Sequence, residues 1–145
     1  MKFRVEAVNI AAAKGMPKHE VPEIVLRENF GIVGDAHAGD WHRQVSLLAG
    51  EAVDVMKAKG LDLAAGAFGE NIVTRGVDWS RARVGDRVTI GEVELEITQI
   101  GKECHSRCAI YYAAGDCIMP TQGVFARVLK GGTIHAQSSG HHRIG

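Results

Sequence analysis

The sequence lacks several features that would identify specialised classes of protein. It has no apolar run long enough to cross a bilayer, and its first ten residues alternate instead of forming the apolar stretch of a signal peptide. Its 17 basic and 17 acidic residues balance, so no overall field attracts nucleic acid or a membrane surface. Aromatic residues make up only 6% of the chain, which argues against a platform for stacked bases. We therefore expect a cytoplasmic protein that binds neither nucleic acid nor membrane.

Cysteine is also scarce, and all three cysteines lie within GKECHSRCAIYYAAGDC, residues 101–117. An odd number cannot pair completely, and disulfides are disfavoured in the reducing cytosol. A structural zinc site needs four ligands, whereas this stretch has neither a Cys-x-x-Cys pair nor a second knuckle. A zinc-binding structural barrel therefore ranks behind the two hypotheses given below.

Cys108 is the candidate nucleophile of this stretch. Arg107 directly precedes it, and Lys102 and His105 belong to the same segment. Neighbouring cations favour the thiolate, which is both the nucleophile and the soft metal ligand. Cys104 lies four residues earlier and can act as a resolving or relaying thiol. The alternative for such a cysteine is a small buried hydrophobe.

The sequence is rich in short alternating segments separated by some of its 18 glycines. Alternation of apolar and polar residues predicts half-buried strands, most clearly in a hairpin that turns at Gly91-Glu92. Residues 50–60 predict the one clear helix, with Glu51 in its first turn and Gly60 as its stop. We expect a single, mainly β domain over residues 1–145, a closed or partly closed barrel with short helical turns.

Other candidate binding residues lie outside the cysteine segment. In GDAHAGDWHRQVS, His37 and His42 can bind a metal or move protons, or they can satisfy loop backbone groups. Arg43 follows where the loop becomes a strand, and there it can hold a phosphate or form a surface ion pair. In GAFGENI, glycines before Asn71 allow close approach of a ligand. Arg127 is predicted on a strand, where simple solvation is the alternative.

These segments, in this order, resemble the MOSC domain family, which is named for the C-terminal domain of molybdenum cofactor sulfurases. The resemblance is to the short, stand-alone bacterial members and extends over residues 3–134. It rests on GIVGDAHAG with HRQVSLL, GAFGENI with TRG, VGDRVTIG, GKECHSRC, and GDCIMPTQGVFARVLKGG.

The resemblance implies a β-barrel of the kind also inserted in pyruvate kinase, together with molybdenum cofactor chemistry. It implies that Cys108 carries sulfur as a persulfide to the cofactor, with a separate cysteine desulfurase as donor and molybdoenzymes as recipients. No pyridoxal phosphate is expected on this chain. The alternative is a non-catalytic cofactor-binding or chaperone module in which Cys108 ligates molybdenum. The supporting residues are expected to be Cys104, His105 and Arg107 at the thiol, and Arg43, Asn71, Lys102, Arg127, Arg107 and His42 around the cofactor.

The sequence departs from the family pattern at two places. Many members place the key cysteine after Arg-Pro, whereas Arg107-Cys108 has no proline, so Cys104 and Cys108 both remain candidates. The family commonly closes with a Gly-Asp turn and a last strand. This chain ends in GTIHAQSSGHHRIG, which predicts an irregular tail over residues 135–145 with solvated histidines.

Overall fold

The computed structural model describes residues 1–13, 16, 18–60, 66–101 and 123–143. Within these residues the chain forms eleven strands, one α-helix and one short 3₁₀ turn. In order these are β1 (Lys2–Ile10), β2 (His19–Val21), β3 (Glu23–Arg27), β4 (Gly31–Ile32), β5 (Val45–Ala49), α1 (Gly50–Ala58), β6 (Ile72–Arg75), the 3₁₀ turn (Trp79–Arg81), β7 (Arg87–Ile90), β8 (Val93–Ile100), β9 (Gly123–Lys130), β10 (Gly132–His135) and β11 (Ser139–Arg143).

Seven strands close into a barrel. Their order is β11-β7-β8-β9-β5-β6-β1, and β1 pairs back onto β11. All of these pairings are antiparallel except that between β5 and β6. Strand β2 continues on β1 outside the ring, while β10, β3 and β4 form a small second sheet. The predicted mainly β barrel is thereby confirmed.

The core lies inside the barrel and follows the alternation of the strands. In β9, Val124, Ala126 and Val128 are buried, and in β8 the predicted alternation buries Val93, Leu95 and Ile97. The β7–β8 hairpin turns where predicted, at Gly91, whose φ of 59° suits glycine. Burial of each valine, leucine or isoleucine side chain among them contributes about 1.5–3 kcal/mol to the free energy of folding.

Helix α1 packs on the parallel pair β5 and β6. Ala52, Val53 and Met56 face the core at helical spacing, which confirms the predicted helix. Arg75 of β6 fastens the exposed side of the helix, since its guanidinium donates to both Asp54 oxygens at 2.5 and 3.0 Å. These hydrogen bonds are the main reason that the pKa of Asp54 is lowered.

Strand β11 corrects the expectation of an irregular, solvated tail. Residues Ser139–Arg143 pair with β1 on one side and β7 on the other, and so complete the barrel. His142 is 1% exposed, and its Nε2 lies 2.8 Å from Asp86 Oδ2. The imidazole also packs on Trp79 at a centroid distance of 5.4 Å. These tertiary contacts replace the apolar side chains that normally mark a strand in sequence.

Candidate functional site

A row of register partners on the outer face of the barrel forms the floor of the site. Phe125 of β9 is the partner of Gln99 on β8 and of Ser46 on β5. Asn71, directly before β6, continues the row because its N–H donates to the Ser46 carbonyl at 3.1 Å. Side chains paired in this way point to the same face of a sheet. The floor therefore runs from β8 across β9 and β5 to the residue that precedes β6.

A β-bulge brings Gln99 into this row. The register of β8 against β9 shifts between Ile97 and Gln99, so that Gln99, and not Thr98, is opposite Phe125. Bulges commonly redirect a side chain next to a functional site. Gln99 is held by its own amide, which donates to the Gly101 carbonyl at 2.8 Å. Its Oε1 atom is thus held in position to contact His42 and Arg43.

Arg43 is oriented by two contacts with the floor. Its Nε donates to Gln99 Oε1 at 3.0 Å, and its guanidinium lies 5.1 Å from the centroid of the Phe125 ring. Among the described residues, the two terminal nitrogens of Arg43 have no hydrogen-bond partner. A planar fork held in this manner can donate two hydrogen bonds to an oxyanion.

His42 shares the Gln99 oxygen with Arg43. Its Nε2 lies 2.9 Å from Gln99 Oε1. Because arginine can only donate, the Arg43 bond identifies that Gln99 atom as the oxygen, and His42 Nε2 must then carry a proton. The ring is exposed and lies edge-on to Trp41 at 5.7 Å between centroids. His42 thus braces the loop that carries Arg43.

Asn71 serves mainly as a clamp between strands. Its Oδ1 accepts from the Ser46 N–H at 3.0 Å, and its Nδ2 donates to the Asn9 carbonyl at 3.1 Å. The residue is 1% exposed, and both ends of its amide are bonded to protein. It lines the cavity described below and joins β1, β5 and β6, while its role in cofactor binding stays a prediction.

A buried ion pair organises the loop in front of Arg43. Lys18 Nζ donates to Asp35 Oδ1 at 2.7 Å, and the two side chains are 2% and 0% exposed. Asp35 also accepts from the Ala11 and His37 N–H groups, each at 3.1 Å. Lys18 Nζ lies 3.0 Å from His37 Nδ1, and the His37 ring stacks on Trp41 at 6.3 Å. The pair therefore sets the position of His37.

The glycine segment before Asn71 is folded around a buried carboxylate. Glu70 accepts from the N–H groups of Gly66 and Phe68, each at 3.0 Å. Burial raises the pKa of Glu70, although these hydrogen bonds and the charge of Lys18 oppose the rise. Gly66 has a φ of 89°, and a Cβ there would overlap the Lys18 carbonyl. Glycine at position 66 therefore allows a tight contact between this segment and the backbone at Lys18.

These elements enclose a cavity of about 80 Å³. Drug-sized ligands occupy pockets of about 300 Å³ or more, and a dry cavity of about 150 Å³ accepts benzene. A cavity of this size suits a small anion better than a fused ring. Its lining residues are His37, Trp41, Arg43, Ser46, Phe68, Gly69, Asn71 and Phe125.

The structure does not bring Arg127 to this cavity. Arg127 is exposed on β9, two residues beyond Phe125, and its guanidinium donates to Glu96 at 2.9 Å. Lys102, Cys104, His105, Arg107, Cys108 and Cys117 lie outside the described residues. The two ends of their segment are described: Gly101 leaves β8, Gly123 enters β9, and the Gly101 N–H donates to the Gly123 carbonyl at 2.8 Å.

Sequence reasoning missed Lys18, Gln99 and Phe125 as members of the site. Lys18 is separated from Asp35 by 17 positions, and no local pattern connects them. In sequence, Gln99 looks like any polar residue on the solvent-exposed face of a hairpin strand. Only the bulge in the structure shows that its side chain is redirected. The usable signal was the concentration of glycine, aspartate and histidine residues between β4 and Arg43.

Two features are absent from the described parts of the chain. No group of three His, Cys, Asp or Glu side chains is placed to hold a metal ion within those residues. Across the same residues, no helix combines the length and apolar character needed to span a bilayer.

The chain is thus a closed β-barrel, and a cavity lined by Arg43 lies beside the two ends of the segment that carries the cysteines. The MOSC domain model matches residues 33–139, and the chain belongs to the MOSC domain family. No functionally curated protein matches the sequence.

Solved structures share the fold. The YUAD protein from Bacillus subtilis superposes with a TM-score of 0.77 at 16% identity, over 100% of this chain and 98% of that one. YiiM from Geobacillus stearothermophilus superposes with a TM-score of 0.68 at 18% identity, over 94% of this chain and 72% of that one. YiiM from Escherichia coli superposes with a TM-score of 0.66 at 19% identity, over 98% of this chain and 69% of that one. At these identities the likeness establishes the fold alone.

The family is associated with molybdenum cofactor, and the described residues fit one end of that group. The cavity of about 80 Å³ has room for a phosphate, and Arg43 supplies a guanidinium whose terminal nitrogens are not bonded to other described residues. The fit is therefore to the anionic end of the cofactor.

Proposed function

We propose that this MOSC protein carries sulfur as a persulfide on Cys108 and delivers it to molybdenum cofactor. Cys108 is preceded by Arg107 and follows Lys102 and His105 in sequence, and such neighbours favour a reactive thiolate. Cys104 is the proposed second thiol.

The observation that carries this proposal is the position of the segment's two ends. Gly101 and Gly123 are hydrogen-bonded to each other at 2.8 Å. Gln99, which holds Arg43, is two residues before the first end, and Phe125, on which Arg43 lies, is two residues after the second. The segment that contains Cys104 and Cys108 thus starts and finishes next to the candidate anion site.

Arg43 would hold the phosphate of the cofactor, and Phe125 and Gln99 would keep its guanidinium in place. The cofactor supplies a molybdenum centre that accepts sulfur. The barrel would supply binding and orientation, while the cysteine segment supplies the thiols.

The sulfur steps need no pyridoxal phosphate on this chain, because a separate cysteine desulfurase supplies the persulfide. The Cys108 thiolate attacks the terminal sulfur of a desulfurase persulfide, and the desulfurase cysteine leaves as a thiolate. Attack by the Cys104 thiolate on Cys108 then forms a disulfide and releases the terminal sulfur as hydrosulfide. A thiol reductant must reduce that disulfide before the next cycle.

The test is intact mass spectrometry after incubation with a cysteine desulfurase, its pyridoxal phosphate and cysteine. We expect one added sulfur, mapped to Cys108 by thiol labelling and peptide analysis. Cys108→Ala should abolish loading, whereas Cys117→Ala, a matched change in the same segment, should load as the wild type does.

Loading retained in Cys108→Ala would contradict the assignment of the thiol, and a shift of the label to Cys104 would reassign it. No added sulfur on wild-type protein with free thiols would reject the carrier function. That result would favour a cofactor-binding module, in which Cys108 ligates molybdenum.

A further inference from the structure

Three arginines and one glutamate form a row across the outer face of the barrel. Arg143 of β11 is the register partner of Arg87 on β7. Arg87 is in turn the partner of Glu96 on β8, and Glu96 is the partner of Arg127 on β9. Register partners point to the same face of a sheet. Because neighbouring strands lie about 4.8 Å apart, the row is about 14 Å long.

The row has too few carboxylates for its arginines. Glu96 Oε1 accepts from Arg127 at 2.9 Å, whereas Glu96 Oε2 lies 3.6 Å from Arg87 Nη2, which is too long for a hydrogen bond. Among the described residues, no carboxylate forms a salt bridge with Arg143. Like charges directly opposite each other destabilise a pair of strands. An anion bound between Arg87 and Arg143 would therefore relieve their repulsion.

A second row beside the first adds further positive charge. In register from β1 to β9, its members are Lys2, His141, Thr89, Glu94 and Lys130. The two rows together hold five lysine and arginine side chains and two carboxylates. The charge of the chain's amino group is the largest cause that lowers the pKa of His141, and Arg143 and Lys2 add to it. This face thus carries an excess of positive charge.

A groove of about 380 Å³ lies on this face. Arg87 and Arg143 line it together with Thr89, Glu94 and His141. The Arg87 side chain is 53% exposed, and Arg143 is exposed as well. Within the described residues, the groove shares no lining residue with the cavity that Arg43 lines. The two are therefore separate sites.

We propose that this groove is a docking site for an acidic segment of a partner protein, whose carboxylates bind between Arg87 and Arg143. A guanidinium pairs with a carboxylate through two parallel hydrogen bonds. An extended peptide covers the row in about four residues, whereas a single small ion would occupy one pair of arginines. Glu94 and Glu96 stand within the rows and disfavour nucleic acid, whose backbone charge is continuous. The proposal goes beyond sulfur transfer and does not rest on it.

The test follows binding of a capped peptide of alternating glutamate and serine to the full chain by NMR at low ionic strength. The Nε–H resonances of Arg87 and Arg143 are assigned by their loss in Arg87→Gln and Arg143→Gln. We expect both resonances to shift as the peptide binds. Arg87→Gln/Arg143→Gln should weaken the affinity about tenfold. The matched control Arg27→Gln/Lys59→Gln removes two exposed positive charges outside the two rows and should leave the affinity unchanged.

A second variant, Arg143→Glu, separates docking from stability. It places a carboxylate opposite Arg87, so the melting temperature at low ionic strength should rise above that of wild type. Peptide binding should be lost, because the groove then presents a negative charge to the glutamates. A lower melting temperature together with retained binding would contradict the proposal.

Unshifted arginine resonances, or equal affinity in wild type and Arg87→Gln/Arg143→Gln, would overturn the docking site. The same peptide with glutamine in place of glutamate should not bind, and binding by it would overturn the role of charge. Inorganic phosphate or a random-sequence DNA duplex that shifts the two resonances at a lower concentration than the peptide would replace the acidic segment as the occupant. These readouts need neither sulfur nor cofactor, so docking and persulfide loading on Cys108 can fail independently.

Discussion

Asp35 and Asp86 are both buried, and each is bonded to a basic side chain, yet they serve different regions. Asp86 lies 2.8 Å from His142 Nε2, both side chains are at most 3% exposed, and the imidazole packs on Trp79. Asp35 is bonded to Lys18, which in turn contacts a histidine that is 37% exposed on a cavity wall. The two buried pairs thus differ in that a third side chain, His37, leads from the Asp35 pair to a cavity, whereas the Asp86 pair lies within the packed interior.

The change with the largest expected effect removes one partner at the cavity. Lys18→Met leaves the Asp35 carboxylate buried without its cation and should lower the free energy of unfolding by about 3–5 kcal/mol. Lys18→Met/Asp35→Asn should recover most of that loss. Urea denaturation of the three proteins measures both effects. Equal stability of Lys18→Met and wild type would show that the pair is not energetically coupled.

A smaller loss of stability is expected where β11 closes the barrel between β1 and β7. His142→Phe keeps the ring volume against Trp79 but removes the bond to Asp86, which still accepts from the Arg83 N–H at 2.9 Å. The free energy of unfolding should fall by about 1–3 kcal/mol. Phosphate binding at the cavity should not change, and altered binding would break the distinction between the two regions.

The smallest expected effect is a pH dependence of the free energy of unfolding, which comes from Glu70 near the cavity. Burial raises the pKa of Glu70 above its ordinary value of 4.5, so the folded state takes up a proton more readily than the unfolded state. This contribution is fully present below the unfolded pKa and is lost as pH rises through the folded pKa. Wild type should therefore gain stability relative to Glu70→Gln as pH falls from about 7 toward the ordinary glutamate pKa. Denaturation of both proteins at several pH values tests this, and a constant difference would contradict it.

Much of the barrel could be predicted because its strands carry local signals. The β7–β8 hairpin follows from alternation and its glycine turn, and α1 follows from the spacing of Val53 and Met56. Strand β11 could not be predicted, since the buried residues in Ser139–Arg143 are Gly140 and His142. Their burial depends on β1, β7 and Trp79, which only the tertiary structure brings together.

Like the barrel, the candidate site could be predicted only where its residues carry a local signal in the sequence. Arg43 could be located because a polar loop meets an apolar strand there. Its orientation depends on the β8 bulge at Gln99 and on Phe125, which are 56 and 82 positions away in the chain. No periodic pattern in the sequence predicts a bulge. Lys18 was missed because a pairing across two loops leaves no local trace in sequence.

The hydrogen bond between Gly101 and Gly123 has an evolutionary consequence. The β8–β9 ladder fixes the strands on either side of it, so insertions or deletions between the two glycines need not shift the register of the barrel. Loop closure costs only about 0.6 kcal/mol more for each doubling of length. Selection can therefore change the length and sequence of the chain between the two glycines with little loss of stability of the barrel.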